Sequence, residues 1–316
     1  MRIIYMGTPE FAVEALDRIA KAGHEVVLVV TQPDKPKNRG KKLQPTPVKE
    51  KALDLGIEVV QPEKVKGNAE FLEKIKSVEA DLAVVAAYGQ ILPEEVLEAP
   101  KYGCVNIHAS LLPFLRGAAP IQRAIIEGYA YTGVTLMKMD KGMDTGNIIT
   151  KRMTGLNGVT GGELHDELMD MGGEMIVELL AKVEAEGPDV LKGTPQDHEK
   201  ATYAPMLKKS EGLIDFDTPA DDICLKINGM DPWPSAYTTY KGETVKLRNP
   251  EWYGTARPSE DQEPGTIMKV SKEGMLVKCR GSLVMIHTIQ FPNKKSMSVG
   301  EYIKGNSLEE GVVLGK

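Results

Sequence analysis

The first half of the chain alternates strand-like and helix-like segments, and this alternation limits the possible folds most strongly. Largely apolar runs occur at residues 3–6, 25–30, 57–60, 81–87 and 104–108, and the run at 25–30 is rich in β-branched valine. They are separated by segments with helical spacing of apolar residues. Strands that are apolar throughout are typical of a parallel sheet covered by helices on both faces. We therefore predict an α/β fold with a Rossmann-like, mostly parallel sheet in the N-terminal part.

The later chain predicts a second, smaller domain. At 316 residues the chain is long for one domain and comfortable for two. Strand-like segments after residue 265 are separated by turn signals at residues 273–274 and 280–281, which indicates a small, OB-like antiparallel β-barrel. We predict a catalytic domain at residues 1–187, a Pro-containing linker at 188–210 and the barrel domain at 211–316.

Other segments complete the predicted α/β domain. Helices are expected at residues 49–55, 69–77 and 119–127, and a pair of strands at residues 134–139 and 148–153. A long helix follows, with apolar residues from Leu164 to Leu180 on one side. Gly172 and Gly173 lie inside this helix and weaken it locally, and we expect them to allow close packing.

Charge, cysteines and hydropathy exclude several classes of protein. The net charge of −6 argues against a general nucleic-acid binder, although a basic island, Lys35 to Lys42, can attract phosphates locally. The three cysteines are far apart and form neither a disulfide framework nor a metal-binding pattern. No segment has the roughly 20 apolar residues of a membrane helix, and no leader pattern precedes the first strand. We expect a cytoplasmic protein.

The most informative stretch for function is NIHASLLPFLRGAAP at residues 106–120. Side chains two apart in a strand point to the same side, so Asn106, His108 and Ser110 are expected to face one space. A second loop, MDKGMDTG at residues 139–146, can add the carboxylate of Asp144. An amide, an imidazole and a carboxylate together suit acyl transfer. The alternative is a hydrogen-bonded histidine at a strand end, with Asn106 and Asp144 serving turns.

Several familiar sites are not present in the sequence. GTPEF after the first strand has one glycine where a dinucleotide fingerprint needs three. GxxxxGK[ST] and GxSxG are both missing, which makes Ser110 a poor candidate for a nucleophile. The remaining histidines have no metal-ligand spacing, so no metal site is expected.

The two central motifs resemble the signature pair of the 10-formyltetrahydrofolate-dependent formyltransferases. Further motifs narrow the resemblance to the methionyl-tRNA formyltransferase family: MGTPEFA near the start, QPD and RGKK within residues 32–42, AAYGQILP at 86–93 and DPWPSAY at 231–237. The match spans nearly the whole chain. Asn38 and Asp231 depart from the family's usual Gly and Asn.

The resemblance implies transfer of a formyl group from 10-formyltetrahydrofolate to the amino group of methionine on initiator Met-tRNA. The negative charge that develops on the formyl oxygen is best met by fixed donors, and Asn106 and His108 can donate. His108 can also carry a proton from the incoming amine to the leaving nitrogen of the folate. Asp144 would favour and orient the protonated form of His108. The chemistry requires no metal.

The resemblance also implies where the formyl donor binds. The carboxyl ends of the fourth and fifth strands lead into AAYGQILP and HASLLP, and ligands of open α/β sheets lie beyond such ends. We expect the folate to contact Ile91, Ser110, Leu111, Leu112 and Pro113.

The tRNA is expected to contact the basic island. We assign Lys37, Arg39, Lys41 and Lys42 to the acceptor stem, with Arg39 as the specific contact because its guanidinium can bond bidentately or stack. The barrel is expected to bind tRNA locally, with Lys294 and Lys295 as candidates. We expect a monomer without membrane contact. Two alternatives are a formyltransferase for an amino sugar or other small amine, and a folate- or RNA-binding protein without turnover.

Overall fold

The computed structural model describes residues 1–37, 42–254 and 262–316, with the backbone alone at Lys37 and Lys42. The strands are β1 (Arg2–Gly7), β2 (Glu25–Val30), β3 (Lys35–Lys37), β4 (Lys42–Gln44), β5 (Val59–Val60), β6 (Leu82–Ala86), β7 (Cys104–His108), β8 (Arg116–Gly117), β9 (Tyr131–Lys138), β10 (Ile148–Gly155), β11 (Tyr203–Ala204), β12 (Tyr237–Tyr240), β13 (Glu243–Trp252), β14 (Ile267–Val270), β15 (Met275–Lys278), β16 (Leu283–Gln290) and β17 (Met297–Ser298). The α-helices are α1 (Val13–Lys21), α2 (Pro47–Asp54), α3 (Ala69–Ser77), α4 (Glu94–Leu97), α5 (Pro120–Ile126), α6 (Gly161–Glu186), α7 (Ala220–Gly229) and α8 (Val299–Tyr302). Short 3-10 helices lie at Glu10–Ala12, Pro188–Leu191, His198–Lys200 and Lys209–Gly212.

The chain divides into two compact units. The first contains Met1–Pro120, Tyr131–Gly155 and His165–Ala204; the second contains Ile121–Ala130, Leu156–Leu164 and Pro205–Lys316. Most of the segment predicted as a linker therefore lies in the first unit. There, β11 pairs with β8 in parallel.

The first unit contains the mostly parallel sheet that the sequence predicted. Its strand order is β10-β9-β7-β6-β1-β2-β5, and the five strands from β7 to β5 are parallel. β9 and β10 add an antiparallel edge. β1, β6 and β7 are almost entirely buried, which explains why their sequences are apolar on both faces. The predicted α/β class and Rossmann-like sheet are confirmed.

Close packing places α6 against β7. An added Cβ at Gly172 would lie 2.8 Å from Cγ2 of Ile107, so a larger residue would push the helix away from the strand. Gly173 similarly faces the side chain of Arg18. The predicted role of the two glycines in close packing is confirmed. Because Ile107 points toward α6, its neighbours Asn106 and His108 point to the other side of the sheet.

The second unit contains a curled antiparallel sheet with the order β12-β13-β16-β15-β14, to which β17 adds beside β16. Helix α7 contributes Ile223 and Ile227 to a core with Val277 and Ile286, all of them fully buried or nearly so. The prediction of a smaller antiparallel β domain is confirmed. In the part of the chain that the structure describes, no helix is both long and apolar enough to cross a bilayer.

Candidate active site

Asn106 and His108 share one face of β7, as the two-residue spacing predicted. β7 lies between β6 and β9 in the sheet, and His108 is opposite Thr135 of β9. Asn106 is 9% exposed and His108 6% exposed. Within the described residues the Asn106 carboxamide forms no hydrogen bond. A largely buried amide without a protein partner is available to a ligand.

One ring nitrogen of His108 already forms a hydrogen bond within the protein. Nε2 lies 3.1 Å from the carbonyl oxygen of Leu115. A carbonyl only accepts, so Nε2 carries a hydrogen and donates it. Nδ1 is therefore the nitrogen that can gain or lose a proton while this hydrogen bond persists.

Asp144 faces that second nitrogen. Its Oδ1 lies 3.7 Å from Nδ1 of His108, and its Oδ2 accepts a hydrogen bond of 2.8 Å from the backbone N–H of Gly117. The distance to the imidazole is too long for a direct hydrogen bond but lies within the 4 Å range of an ion pair. The carboxylate and the imidazole named from the sequence are thus brought together, with Asn106 on the same face of β7.

The other residues of MDKGMDTG shape the loop. The carboxylate of Asp140 accepts hydrogen bonds from the N–H of Gly142 (3.0 Å) and the hydroxyl of Thr145 (2.6 Å). A Cβ at Gly146 would lie 1.7 Å from the carbonyl oxygen of Lys138, so only glycine permits this approach. Asp140 and Gly146 thus form the turn, whereas Asp144 points toward His108.

Three polar residues that the sequence did not single out support these groups. Thr135 is fully buried; its hydroxyl donates to the carbonyl of Ser110 (2.6 Å) and accepts from the N–H of Leu112 (3.1 Å). Arg116 and Gln196 are 2% and 5% exposed and bond to each other. The sequence could have indicated a role for Arg116, because a charged residue inside the apolar loop FLRGAAP is expected to have a buried partner. No feature of the sequence indicates a role for Gln196.

The five residues assigned to folate fall into two groups, one accessible and one buried. Ile91 is 80% exposed, and Leu111 and Pro113 are partly exposed, so their side chains are accessible to a ligand. Leu112 is fully buried, and its N–H is bonded to Thr135. Ser110 is also fully buried, and its hydroxyl donates to the carbonyl of Phe114 (2.6 Å). Ser110 and Leu112 thus shape the loop from within.

The basic island is only partly described. Arg39 and Lys41 lie outside the described residues, and Lys37 pairs with Lys42 through the backbone of the β3–β4 hairpin. Lys295 is exposed, and Nζ of Lys294 lies 5.7 Å from the centre of the Tyr302 ring.

Polar side chains hold the base of the hairpin. Nζ of Lys49 donates to Asp34 and to Gln61, both at 2.7 Å, and Nε2 of Gln61 donates to Oδ1 of Asp34 at 2.6 Å. These bonds, first that of Lys49, lower the pKa of the Asp34 carboxyl. The QPD motif therefore anchors the hairpin through Asp34.

Metal ligands do not cluster in the described parts of the chain. No group of three or more histidine, cysteine, aspartate or glutamate side chains there has the arrangement to hold a metal ion. The site as described consists of an amide, an imidazole and a carboxylate.

Comparisons with known proteins agree on one family. A family model described as formyl transferase matches residues 1–180, and one described as formyl transferase, C-terminal domain matches residues 206–307. Methionyl-tRNA formyltransferases from Acetivibrio thermocellus and Clostridioides difficile are each 48% identical to this chain, and each alignment covers 100% of both proteins.

A solved structure shares the fold. HypX from Aquifex aeolicus in complex with tetrahydrofolic acid superposes with a TM-score of 0.61 at 18% identity. The superposition covers 98% of this chain and 50% of that one, so the chain spans about half the length of HypX.

Proposed function

This chain belongs to the formyl transferase family, and from that premise we propose that it transfers the formyl group of 10-formyltetrahydrofolate to the amino group of methionine on initiator Met-tRNA. The observation that carries the proposal is the approach of Asp144 to within 3.7 Å of the free ring nitrogen of His108, on the face of β7 that also presents Asn106. His108 belongs to NIHASLLPFLRGAAP and Asp144 to MDKGMDTG, so this approach brings the two signature motifs into one site. Full-length identity of 48% to methionyl-tRNA formyltransferases supports the choice of acceptor.

Asn106 stabilises developing negative charge. Its carboxamide is largely buried and forms no hydrogen bond within the described residues, so its N–H groups are available to an oxygen of the substrate. Because the side chain is already largely buried, it loses little solvation when it donates to the substrate. A well-placed donor of this type contributes about 3–4 kcal/mol to transition-state stabilisation.

His108 moves the proton. Because Nε2 donates to Leu115, Nδ1, which faces Oδ1 of Asp144, is the nitrogen that accepts the proton and then releases it. The incoming amine must lose a proton and the leaving nitrogen must gain one, so a single imidazole can serve both transfers. Asp144, held by the N–H of Gly117, fixes the direction of the imidazole and balances its charge when Nδ1 is protonated.

The folate supplies the formyl group and would be held beside β7. Ile91, Leu111 and Pro113 present accessible apolar surface suited to a pterin ring, and Ser110 and Leu112 keep the loop in shape. The free amide of Asn106 fits a polar ligand at this position.

The basic island would bind the acceptor stem. Lys37, Arg39, Lys41 and Lys42 concentrate positive charge on a chain of net charge −6, which favours one phosphate-rich contact over general binding. Lys294 is a candidate for a second, local contact. We further propose that the protein acts as a monomer in the cytoplasm.

A formylation assay tests the proposal. Purified protein is incubated with 10-formyltetrahydrofolate and an equimolar mixture of initiator Met-tRNA and a nucleotide-linked amino sugar, and both products are quantified. We expect formyl-Met-tRNA as the main product. Preferential formylation of the sugar would assign the chain to a different acceptor, and binding of folate without any product would remove the proposed activity.

A further inference from the structure

Gln196 is buried against the Asp144 loop, although it comes from the segment predicted to be a linker. Its Nε2 donates to the carbonyl oxygens of Asp144 (2.9 Å) and Gly146 (2.7 Å). Its Oε1 accepts from Nη2 and Nε of Arg116, at 2.6 and 3.2 Å. A carboxamide can donate two hydrogen bonds and accept two, so the full capacity of this side chain is used.

The surroundings allow one orientation of this amide. A guanidinium only donates and a backbone carbonyl only accepts, so the oxygen must face Arg116 and the nitrogen must face the loop. Hydrogen bonds to a cation are strong, and the buried Arg116 polarises the amide and strengthens its N–H groups as donors. No other uncharged side chain of this size both donates twice and accepts twice.

Asp144 needs such support because of its backbone. Its φ is +55°, in the left-handed region that residues other than glycine rarely adopt. The hydrogen bonds of Gln196 hold the carbonyl of Asp144 and the carbonyl two residues later. The carboxylate itself is held by the N–H of Gly117, the residue after Arg116. β8 (Arg116–Gly117) thus holds Asp144 twice, once directly and once through Gln196.

We propose that Gln196 is a positioning residue that keeps Asp144 in the left-handed conformation in which its carboxylate faces Nδ1 of His108. Gln196 acts through Asp144 and does not itself touch the reacting groups. The inference rests on the proposed function and adds a residue from the segment after α6 to the catalytic apparatus. Pairing of β11 with β8 fixes the far end of that segment on the same unit.

A double-mutant cycle tests whether Gln196 acts through Asp144. Gln196→Met removes both donors and the acceptor at nearly constant volume, and we expect kcat to fall by about 10- to 100-fold, with KM for both substrates changing less than threefold. In an Asp144→Asn background the same substitution is expected to lower kcat less than threefold further, because the carboxylate it positions is gone. Equal losses in the two backgrounds would indicate a merely structural role and overturn the proposal.

A second variant distinguishes loss of positioning from loss of the fold. Gln196→Glu retains the partner of Arg116 but turns a carboxylate oxygen toward the two loop carbonyls, so the fold is kept while the loop is repelled. We expect the variant to stay folded, with one cooperative thermal transition at a somewhat lower temperature, and its kcat to be at least tenfold lower. Unchanged kcat in this variant would contradict the proposal. Gln262→Met, the same change at an exposed glutamine, is the matched control for Gln196→Met.

Hydrogen exchange separates this inference from the proposed function. The N–H of Gly117 is protected only while the Asp144 carboxylate accepts its bond, so Gln196→Met should lower its protection factor at least tenfold, measured by NMR without any substrate. If the chain formylated no acceptor but this loss were observed, the proposed function would fail and the positioning role would stand. An unchanged protection factor for the N–H of Gly117 would overturn the positioning role, whether or not the protein formylates an acceptor.

Discussion

The loop that carries Asp144 and the β3–β4 hairpin belong to the same unit, but they are held in different ways. The Asp144 loop is bonded at its centre, since Gln196 holds the carbonyls of Asp144 and Gly146 and Gly117 holds the carboxylate. The hairpin is bonded at its base. The hydroxyls of Thr31 and Thr46 lie 2.8 Å apart across the two chain segments that lead into it.

The base of the hairpin also carries an ion pair. Lys49 bonds to Asp34 and Gln61, and both partners of the ion pair are about one quarter exposed. The two regions therefore differ in what their proposed roles require. The proposed proton transfer requires one carboxylate to be placed to within a fraction of an ångström, whereas the proposed phosphate contacts require mainly that the hairpin begin at a fixed place.

The largest expected effect comes from His108→Ala. Removal of the imidazole should lower kcat for formylation by 100-fold or more, because proton transfer loses its carrier. Folate affinity should change little, measured by equilibrium binding. His287→Ala, in the second unit, is the control. Activity within tenfold of the unsubstituted protein would show that the site is assigned wrongly.

Arg39→Ala should have a smaller effect with a different signature. KM for Met-tRNA should rise by about tenfold, since a specific guanidinium contact contributes about 1–3 kcal/mol. The affinity for folate should stay the same. Steady-state kinetics with each substrate varied in turn checks this, and equal damage to both substrates would contradict the role of the hairpin.

Lys49→Met tests whether the base of the hairpin matters. Loss of the bonds to Asp34 and Gln61 should raise KM for Met-tRNA by about threefold without changing kcat, since partly exposed ion pairs contribute up to about 1 kcal/mol. Lys51→Met is a matched control on the same helix, because Lys51 pairs with Asp17 at 3.2 Å instead. A similar KM change in both variants would mean that the hairpin base has no special role.

The smallest effect concerns acid stability. The pKa of Asp34 is lowered in the folded protein, chiefly by Lys49, so its contribution to stability is complete above the ordinary aspartate value of about 3.9 and is lost as the pH falls below it. The difference in melting temperature between the unsubstituted protein and Asp34→Asn should therefore shrink between about pH 5 and pH 3. A difference that grows on acidification would reverse the assigned sign. Asp54→Asn, at an exposed position, serves as the control.

Regular elements were predictable where the apolar pattern was strong. β7 and α3 occur at the predicted residues, because an uninterrupted apolar run and a capped amphipathic segment are both local signals. β12 and β13 were not located, since β12 consists of tyrosine and threonine alone, and half of the residues of β13 are exposed. The β3–β4 hairpin was missed because lysine and proline are poor strand formers.

What the sequence determined by itself is the class of the strongly patterned segments and the candidate reactive groups. The two-residue spacing put Asn106 and His108 on one face, and the motifs named Asp144. Only the tertiary structure decided which nitrogen of His108 faces the carboxylate, and that Gln196, 52 residues after Asp144, holds its loop. Strand and helix periodicity is written in neighbouring residues, whereas a hydrogen bond between distant residues depends on the path of the whole chain between them.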